Sequence, residues 1–224
     1  KMHQRKGKKI LIYFFLLILV GSINNNNINN IKFKDIKKIN IIGLEEKENL
    51  ILLKQINNLS LSNIFLEKGV QIENQINSNS LVEKYNIFKR YPDSLNINIE
   101  KTKFLAKINK GGQILFIGSN GKLSKNNFSD NKLPFIFGKP EIQEFLNFKR
   151  TIDESKFLYH DIKSLYFFPS KRWDLELNNN ILIKLSENNV EESLNIVFDF
   201  LNDQNFKDIK TIDMRIKDQI ILNG

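Results

Sequence analysis

Side chains suited to catalysis are scarce in this sequence. There are two histidines, His3 and His160, and no cysteine. Disulfides and thiolate zinc sites are therefore excluded, and thiols give no reading of the redox compartment. No H-E-x-x-H or comparable metal-ligand spacing is present. Asp161 follows His160, but successive residues of a strand point to opposite faces, so the two are not expected to meet. There is no G-x-S-x-G elbow. A serine triad built from distant positions remains open, and a secreted enzyme would have to work through His160 in a concave site. Gly111-Gly112 and Gly118-Ser119-Asn120-Gly121 lack the Lys-Ser/Thr ending and the strand-to-helix setting of a phosphate loop. Glu45-Glu46 and Glu191-Glu192 read as solvated acidic runs. The expectation is a chain with no catalytic residue, no metal and no cofactor.

Charge points the same way. The net charge is +9, and Lys1, Arg5, Lys6, Lys8 and Lys9 supply five of those charges in a stretch with no acid. The rest is spread along the chain, without the concentrated, aromatic-interleaved patch that nucleic-acid binding requires. The abundance of Asn, Ile and Lys reads as a genomic bias. Asn58-Leu59-Ser60 and Asn127-Phe128-Ser129 match glycosylation acceptors, as chance allows in an Asn-rich chain.

The elements that would carry a binding surface follow from hydrophobic periodicity. Residues 10–23 are uncharged and largely apolar, behind a basic tail and ahead of the polar stretch 24–30. As a helix they span roughly 21 Å, against about 30 Å of hydrocarbon. A short membrane anchor and the core of a signal peptide both fit that length. In either case the basic tail keeps the N-terminus in the cytoplasm and sends the rest across the membrane.

Beyond a low-complexity linker, Ile39 and Ile41 alternate with polar residues and Gly43 closes the run, which predicts a strand and a turn. Residues 47–59 predict a helix with Leu50, Leu53 and Ile56 on one face. Residues 68–77 predict a shorter helix on Ile72 and Ile76. Residues 81–90 are extended but irregular. After the turn at Tyr91-Pro92-Asp93, Leu95, Ile97 and Ile99 form the cleanest strand, which 104–108 extends. The second half is richer in strands: 114–117, a hairpin turn at Ser119-Asn120-Gly121, 133–137 and 162–167. Helical spacing marks 141–158. Trp173, Leu175 and Leu177 answer Ile181, Ile183 and Leu185 across Asn178-Asn179-Asn180 as an antiparallel hairpin. Trp173, the single tryptophan, is expected in the core. Val190, Leu194, Val197, Phe198 and Leu201 have helical spacing. Finally Ile212, Met214 and Ile216 alternate with Asp213, Arg215 and Lys217, and 219–222 prolong that last strand.

This order resembles the FtsQ/DivIB family of bacterial cell-division proteins. Lys38 to Gly43 (KINIIG) resembles the first strand of the family's POTRA domain. Arg90-Tyr91-Pro92-Asp93-Ser94-Leu95, with Ile97 and Ile99, resembles its R-x-P-D-x-L-x-I segment. Glu100 and Ala106 sit where the family has an E-x-x-P-x-A run, and Phe104 departs from the pattern nearby. Leu133-Pro134 with Gly138 resembles an L-P-x-x-x-G stretch. Lys171-Arg172-Trp173 through Leu185 resembles the R-x-W-x-L hairpin, and Ile212-Asp213-Met214-Arg215 the V-D-L-R strand.

The resemblance implies an α+β chain divided into a cytoplasmic tail (1–9), a single transmembrane helix (10–23), a linker (24–31), a β-α-α-β-β POTRA domain (32–108) and an antiparallel FtsQ-type β domain with helices (109–224). It implies a non-enzymatic divisome scaffold on the periplasmic side of the inner membrane, enriched at the septum. Such a scaffold binds FtsB and FtsL and helps recruit the septal peptidoglycan synthase complex. The family's partner-binding edge is the last strand, where β-augmentation is possible. That makes Asp213, Arg215, Ile216 and Lys217 candidate contacts, with Lys171 and Arg172 near an acidic partner helix. Two alternatives follow from the segments themselves. One is a cleaved or anchored periplasmic POTRA-type module in envelope assembly. The other, an outer-membrane component, would need a C-terminal barrel for which too little chain follows.

Overall fold

The structure is a computed structural model. It describes residues 3–23, 36–59, 69–125, 132–202, 209–216 and 219–223. The expected linker and the 127–129 acceptor triplet lie outside those residues.

Helix α1 (His3–Ile23) has 21 residues. Every side chain from Ile10 to Val20 is exposed, Leu17 by 72%. Among the described residues no helix is long and apolar enough to cross a membrane.

A three-stranded sheet follows, built from β1 (Lys38–Ile42), β2 (Val82–Arg90) and β3 (Ser94–Lys101), in the order β1-β3-β2. β1 and β3 run parallel, with Ile41 opposite Ile97; β2 and β3 run antiparallel. Two helices, α2 (Glu46–Asn57) and α3 (Val70–Ser78), lie between β1 and β2 in the chain. Leu52 and Ile56 of α2, Ile72 and Ile76 of α3, and Ile41, Leu95, Ile97 and Ile99 of the sheet make one core. The buried face of α2 differs from expectation. Leu52 is buried and Leu50 is 51% exposed. Two residues turn the helix by about 200°, so Leu50 cannot share a face with Leu52. The irregularity over 81–90 is a register shift between Val82 and Lys84. Gly43 stands at φ 118°, and a Cβ there would come within 1.8 Å of the Ile99 carbonyl oxygen. The turn after β1 therefore needs glycine.

The second sheet has nine strands: β4 (Phe104–Lys110), β5 (Gln113–Gly118), β6 (Leu123–Ser124), β7 (Phe135–Phe137), β8 (Ile162–Phe167), β9 (Trp173–Leu177), β10 (Leu182–Leu185), β11 (Thr211–Met214) and β12 (Ile221–Asn223). Their order is β12-β11-β10-β9-β8-β7-β4-β5-β6. Residues 104–108 thus belong here and do not extend the first sheet. The pairs β4–β7, β7–β8 and β10–β11 are parallel, so the sheet is mixed and the expected antiparallel domain is corrected. Parallel neighbours need a crossover, and α4 (Ile142–Glu154) and α5 (Val190–Leu201) supply two of them. Glu141 and Glu144 form a capping box at the start of α4. Phe145, Phe148 and Ile152 of α4, with Leu194 and Val197 of α5, pack on Leu165, Leu175, Ile183, Leu185 and Ile212. Trp173 lies in this core, stacked on Phe148 at 4.6 Å and tilted against Phe167.

A polar joint links the two sheets. Glu83 of β2 accepts hydrogen bonds from the hydroxyls of Thr102 (2.9 Å) and Ser119 (2.7 Å). Asn120 donates to the carbonyls of Ser80 (3.0 Å) and Val82 (2.8 Å). The Lys122 ammonium reaches the carbonyls of Asn77 and Asn79 at the end of α3, where cations are favoured. The network packs against Gly118, where a Cβ would lie 2.6 Å from the Asn120 side chain. The Ser119-Asn120-Gly121 turn thus joins β5 to β6 as expected and also reaches across to the first sheet.

Candidate functional site

The covered face of the second sheet is apolar, and the other face is charged. Across four strands the register aligns Tyr166, Asp174, Lys184 and Asp213, and continues to Ile221 on β12. Period-two alternation produces this row, because Leu175, Ile183 and Ile212 face the helices. Arg172 donates from Nε to Asp174 at 3.1 Å and lies 4.2 Å from the centre of the Phe168 ring. Burial pushes the Asp174 carboxyl up from its ordinary range, opposed by Arg172. Arg215 folds back on Asp213, with Nε 2.8 Å and 2.9 Å from its two oxygens. That hydrogen bonding holds Asp213 below the usual carboxylate range and raises Arg215. Lys163 and Tyr166 donate to Glu176 at 2.7 and 2.8 Å. Lys163, then Tyr166, lower the Glu176 carboxyl. The face is a set of cations already engaged by in-chain acids.

The predicted site residues separate on this frame. Arg172, Asp213 and Arg215 come together on the charged face. Lys171 diverges: it sits in a turn at φ 61°, and its ammonium points to Glu144 of α4 at 3.6 Å. Ile216 leaves the alternation after Met214 and is 52% exposed. Lys217 lies outside the described residues.

The edge itself also moves. β11 was expected to be terminal, with 219–222 prolonging it. Instead β12 is a separate strand, antiparallel to β11, and Ile212 pairs with Leu222. β11 therefore has a neighbour on each side, and β12 is the edge. The sequence signal for this was available: Lys217, Asp218 and Gln219 are three successive polar residues that break the alternation. Ile220, Ile221 and Leu222 are exposed by 39%, 48% and 39%. Beside the hairpin, Ile196 of α5 joins Met214, Ile216 and Ile220 around a cleft that also takes in Glu192 and Arg215. An unpaired edge, apolar side chains and a charged flank suit an extended peptide segment better than a small molecule.

The reactive residues gain little from the fold. His160 and Asp161 fall in a 3₁₀ turn, so their side chains do meet, with Nε2 3.2 Å from Oδ1. The expectation that they point apart assumed a strand. Both are exposed, at 75% and 50%. Tyr159 beside them is spent on structure: it donates to the Leu105 carbonyl at 2.9 Å, and burial pushes its hydroxyl up. Among the described residues no group of three or more His, Cys, Asp or Glu could hold a metal ion.

Comparison with known proteins gives one consistent result. Residues 105–215 match the family described as cell division protein FtsQ/DivIB, C-terminal. The chain is similar to cell division protein FtsQ of Rickettsia felis, 26% identical over 190 residues, which are 82% of this chain and 70% of that protein. FtsQ of Rickettsia conorii is 25% identical over 203 residues, with the same coverage. FtsQ of Bradyrhizobium diazoefficiens is 22% identical over 163 residues, 71% of this chain and 47% of that protein. Among solved structures, the major extracytoplasmic domain of the trans isomer of DivIB from Geobacillus stearothermophilus aligns with 47% of this chain and 98% of its own. The identity is 13% and the TM-score 0.35.

Proposed function

The chain belongs to the FtsQ/DivIB family of cell-division proteins, and on that premise we propose that it is a non-enzymatic divisome scaffold. Its edge strand β12 takes up a segment of an FtsB- or FtsL-like partner. The reading is carried by one observation: β12 is a three-residue edge with exposed Ile221 and Leu222 beside a face of paired charges. Main-chain bonds to such an edge give affinity, and the flanking side chains select the partner. Asp213, Arg215, Ile216 and Arg172 border the incoming segment. An acidic residue on the partner competes with Asp213 for the half-exposed Arg215, an exchange that contributes about 0–1 kcal/mol. Lys171 and Lys217 keep a peripheral role.

The remaining parts serve placement. The first sheet with α2 and α3 is a POTRA domain, and α1 anchors the chain in the inner membrane with its N-terminus in the cytoplasm. The short apolar stretch is accommodated by local thinning and by the lysines before it. The bulk of the chain lies in the periplasm, where partner binding helps recruit the septal peptidoglycan synthase at the septum.

The test is co-purification of the full chain with FtsB and FtsL segments from detergent-solubilised membranes. Leu222→Pro should lose the partners while keeping its thermal midpoint. Retention of both partners by a folded Leu222→Pro chain would refute the edge-strand reading.

A further inference from the structure

One end of the first unit is rich in cations. β1 and β3 start at one end, where β2 finishes, and Lys38, Ser94 and Arg90 share a row. Lys37 and Lys89 adjoin that row, and Asp93 is the acid of the turn there. At the opposite end acids and bases are mixed: Glu45, Glu46, Glu83 and Glu100 lie there with Lys84 and Lys101, Lys84 opposite Glu100 and Lys101 paired with Glu45. That mixed-charge end meets the second sheet through Glu83 and Ser119. The basic end also carries exposed rings: Phe88 is 51% exposed and Tyr91 61%. It is the end at which the chain arrives from α1. Residues 24–37 make that link, with a covalent reach of at most roughly 50 Å.

We propose that this basic end, made of Lys37, Lys38, Lys89 and Arg90 with Phe88 and Tyr91, rests on the anionic phospholipid headgroups of the bilayer that holds α1. The inference depends on the membrane anchoring proposed above. Two features agree on the occupant. Cations within a Debye length of an anionic surface are drawn to it. Aromatic rings beside them match the composition of side chains at a membrane–water interface. Docked this way, the long axis of β3 stands off the membrane and the second sheet is carried on its far side. The partner-binding edge is then held at a set height.

The chain has no cysteine, so single labels are clean. The full chain carrying a bimane probe at Ser94→Cys or at Glu46→Cys would be placed in nanodiscs. The discs would be of zwitterionic lipid alone or with roughly a third phosphatidylglycerol, each with a headgroup nitroxide lipid as quencher. In the anionic discs, quenching at position 94 should exceed that at 46 by about threefold or more, and the excess should vanish at about 0.5 M salt. Lys38→Glu with Arg90→Glu should abolish the excess. Equal quenching at both positions in a chain that co-elutes with the discs overturns the docking and leaves the anchor standing. A chain that fails to co-elute overturns both.

Discussion

The two edges of the nine-stranded sheet end in opposite ways. At one edge, β6 has two residues and follows a turn whose side chains reach the first unit. Asn120 serves two carbonyls, Lys122 caps α3, and Ser119 and Thr102 share the Glu83 carboxylate. At the other edge, β12 has three residues, and Ile220 to Leu222 face solvent. Both edges are short, which limits accidental sheet extension. Their chemistry differs: the first edge is polar and satisfied within the chain, the second apolar and open. An interface internal to one chain forms at a high effective concentration set by the connecting segment, so it tolerates many specific hydrogen bonds. An interface meant for a partner must leave apolar area and backbone groups in reserve.

That contrast can be broken at either end. The largest effect is expected at the closed edge. Asn120→Ala leaves the Ser80 and Val82 carbonyls without their donor and should cost about 1–3 kcal/mol in urea unfolding. Partner affinity should be unchanged; a parallel loss of affinity would mean the edges are not independent. Next comes the open edge. Proline at 222 leaves a ladder bond unmade, and titration calorimetry should show affinity falling at least tenfold, about 1.4 kcal/mol.

A smaller effect separates two carboxylates beside the open edge by the sign of their pH dependence. Asp213 is held below its ordinary value of 3.8, so its charge stabilises the fold above that value, and the contribution is lost as pH falls through the folded-state pKa. Asp174 is raised by burial, so the stability it contributes as a neutral acid is full below its ordinary value of 3.8 and is lost as pH rises through the raised folded-state value. Urea unfolding between about pH 2.5 and 7 should show the wild-type advantage over Asp213→Asn growing with pH, and that over Asp174→Asn shrinking. Equal slopes would break the distinction. The smallest effect is away from both edges. Lys101→Ala removes an exposed pair with Glu45 and should change stability by less than about 0.5 kcal/mol.

Much of the fold could be read from local pattern. The hairpin at 173–185 and the helix at 190–201 were legible because period two and period 3.6 are properties of short windows. Pairing was not. Phe104 to Ile108 alternate just as a continuation of β3 would, and nothing local tells them which sheet to join. The parallel pairs β4–β7 and β7–β8 depend on where α4 returns the chain. The candidate site suffered most from this limit. Asp213 and Arg215 are legible as polar positions on β11, but their engagement with each other depends on Arg215 leaving the strand. The capture of β11 by β12 is marked in the sequence only by the polar run Lys217-Asp218-Gln219. Leu50 shows the limit within a helix: Leu50, Ile51, Leu52 and Leu53 are an unbroken apolar run, and tertiary contact selects which of them the core takes.

Trp173, the single tryptophan, has its ring stacked under α4 in the core of the second unit. Fluorescence from this chain therefore watches one of the two units. A first unit that melted alone would leave the emission untouched, while far-ultraviolet dichroism would register the loss of α2 and α3. Whether the two signals coincide on heating is then a direct gauge of cooperativity across the Glu83–Ser119 joint, obtained without any label.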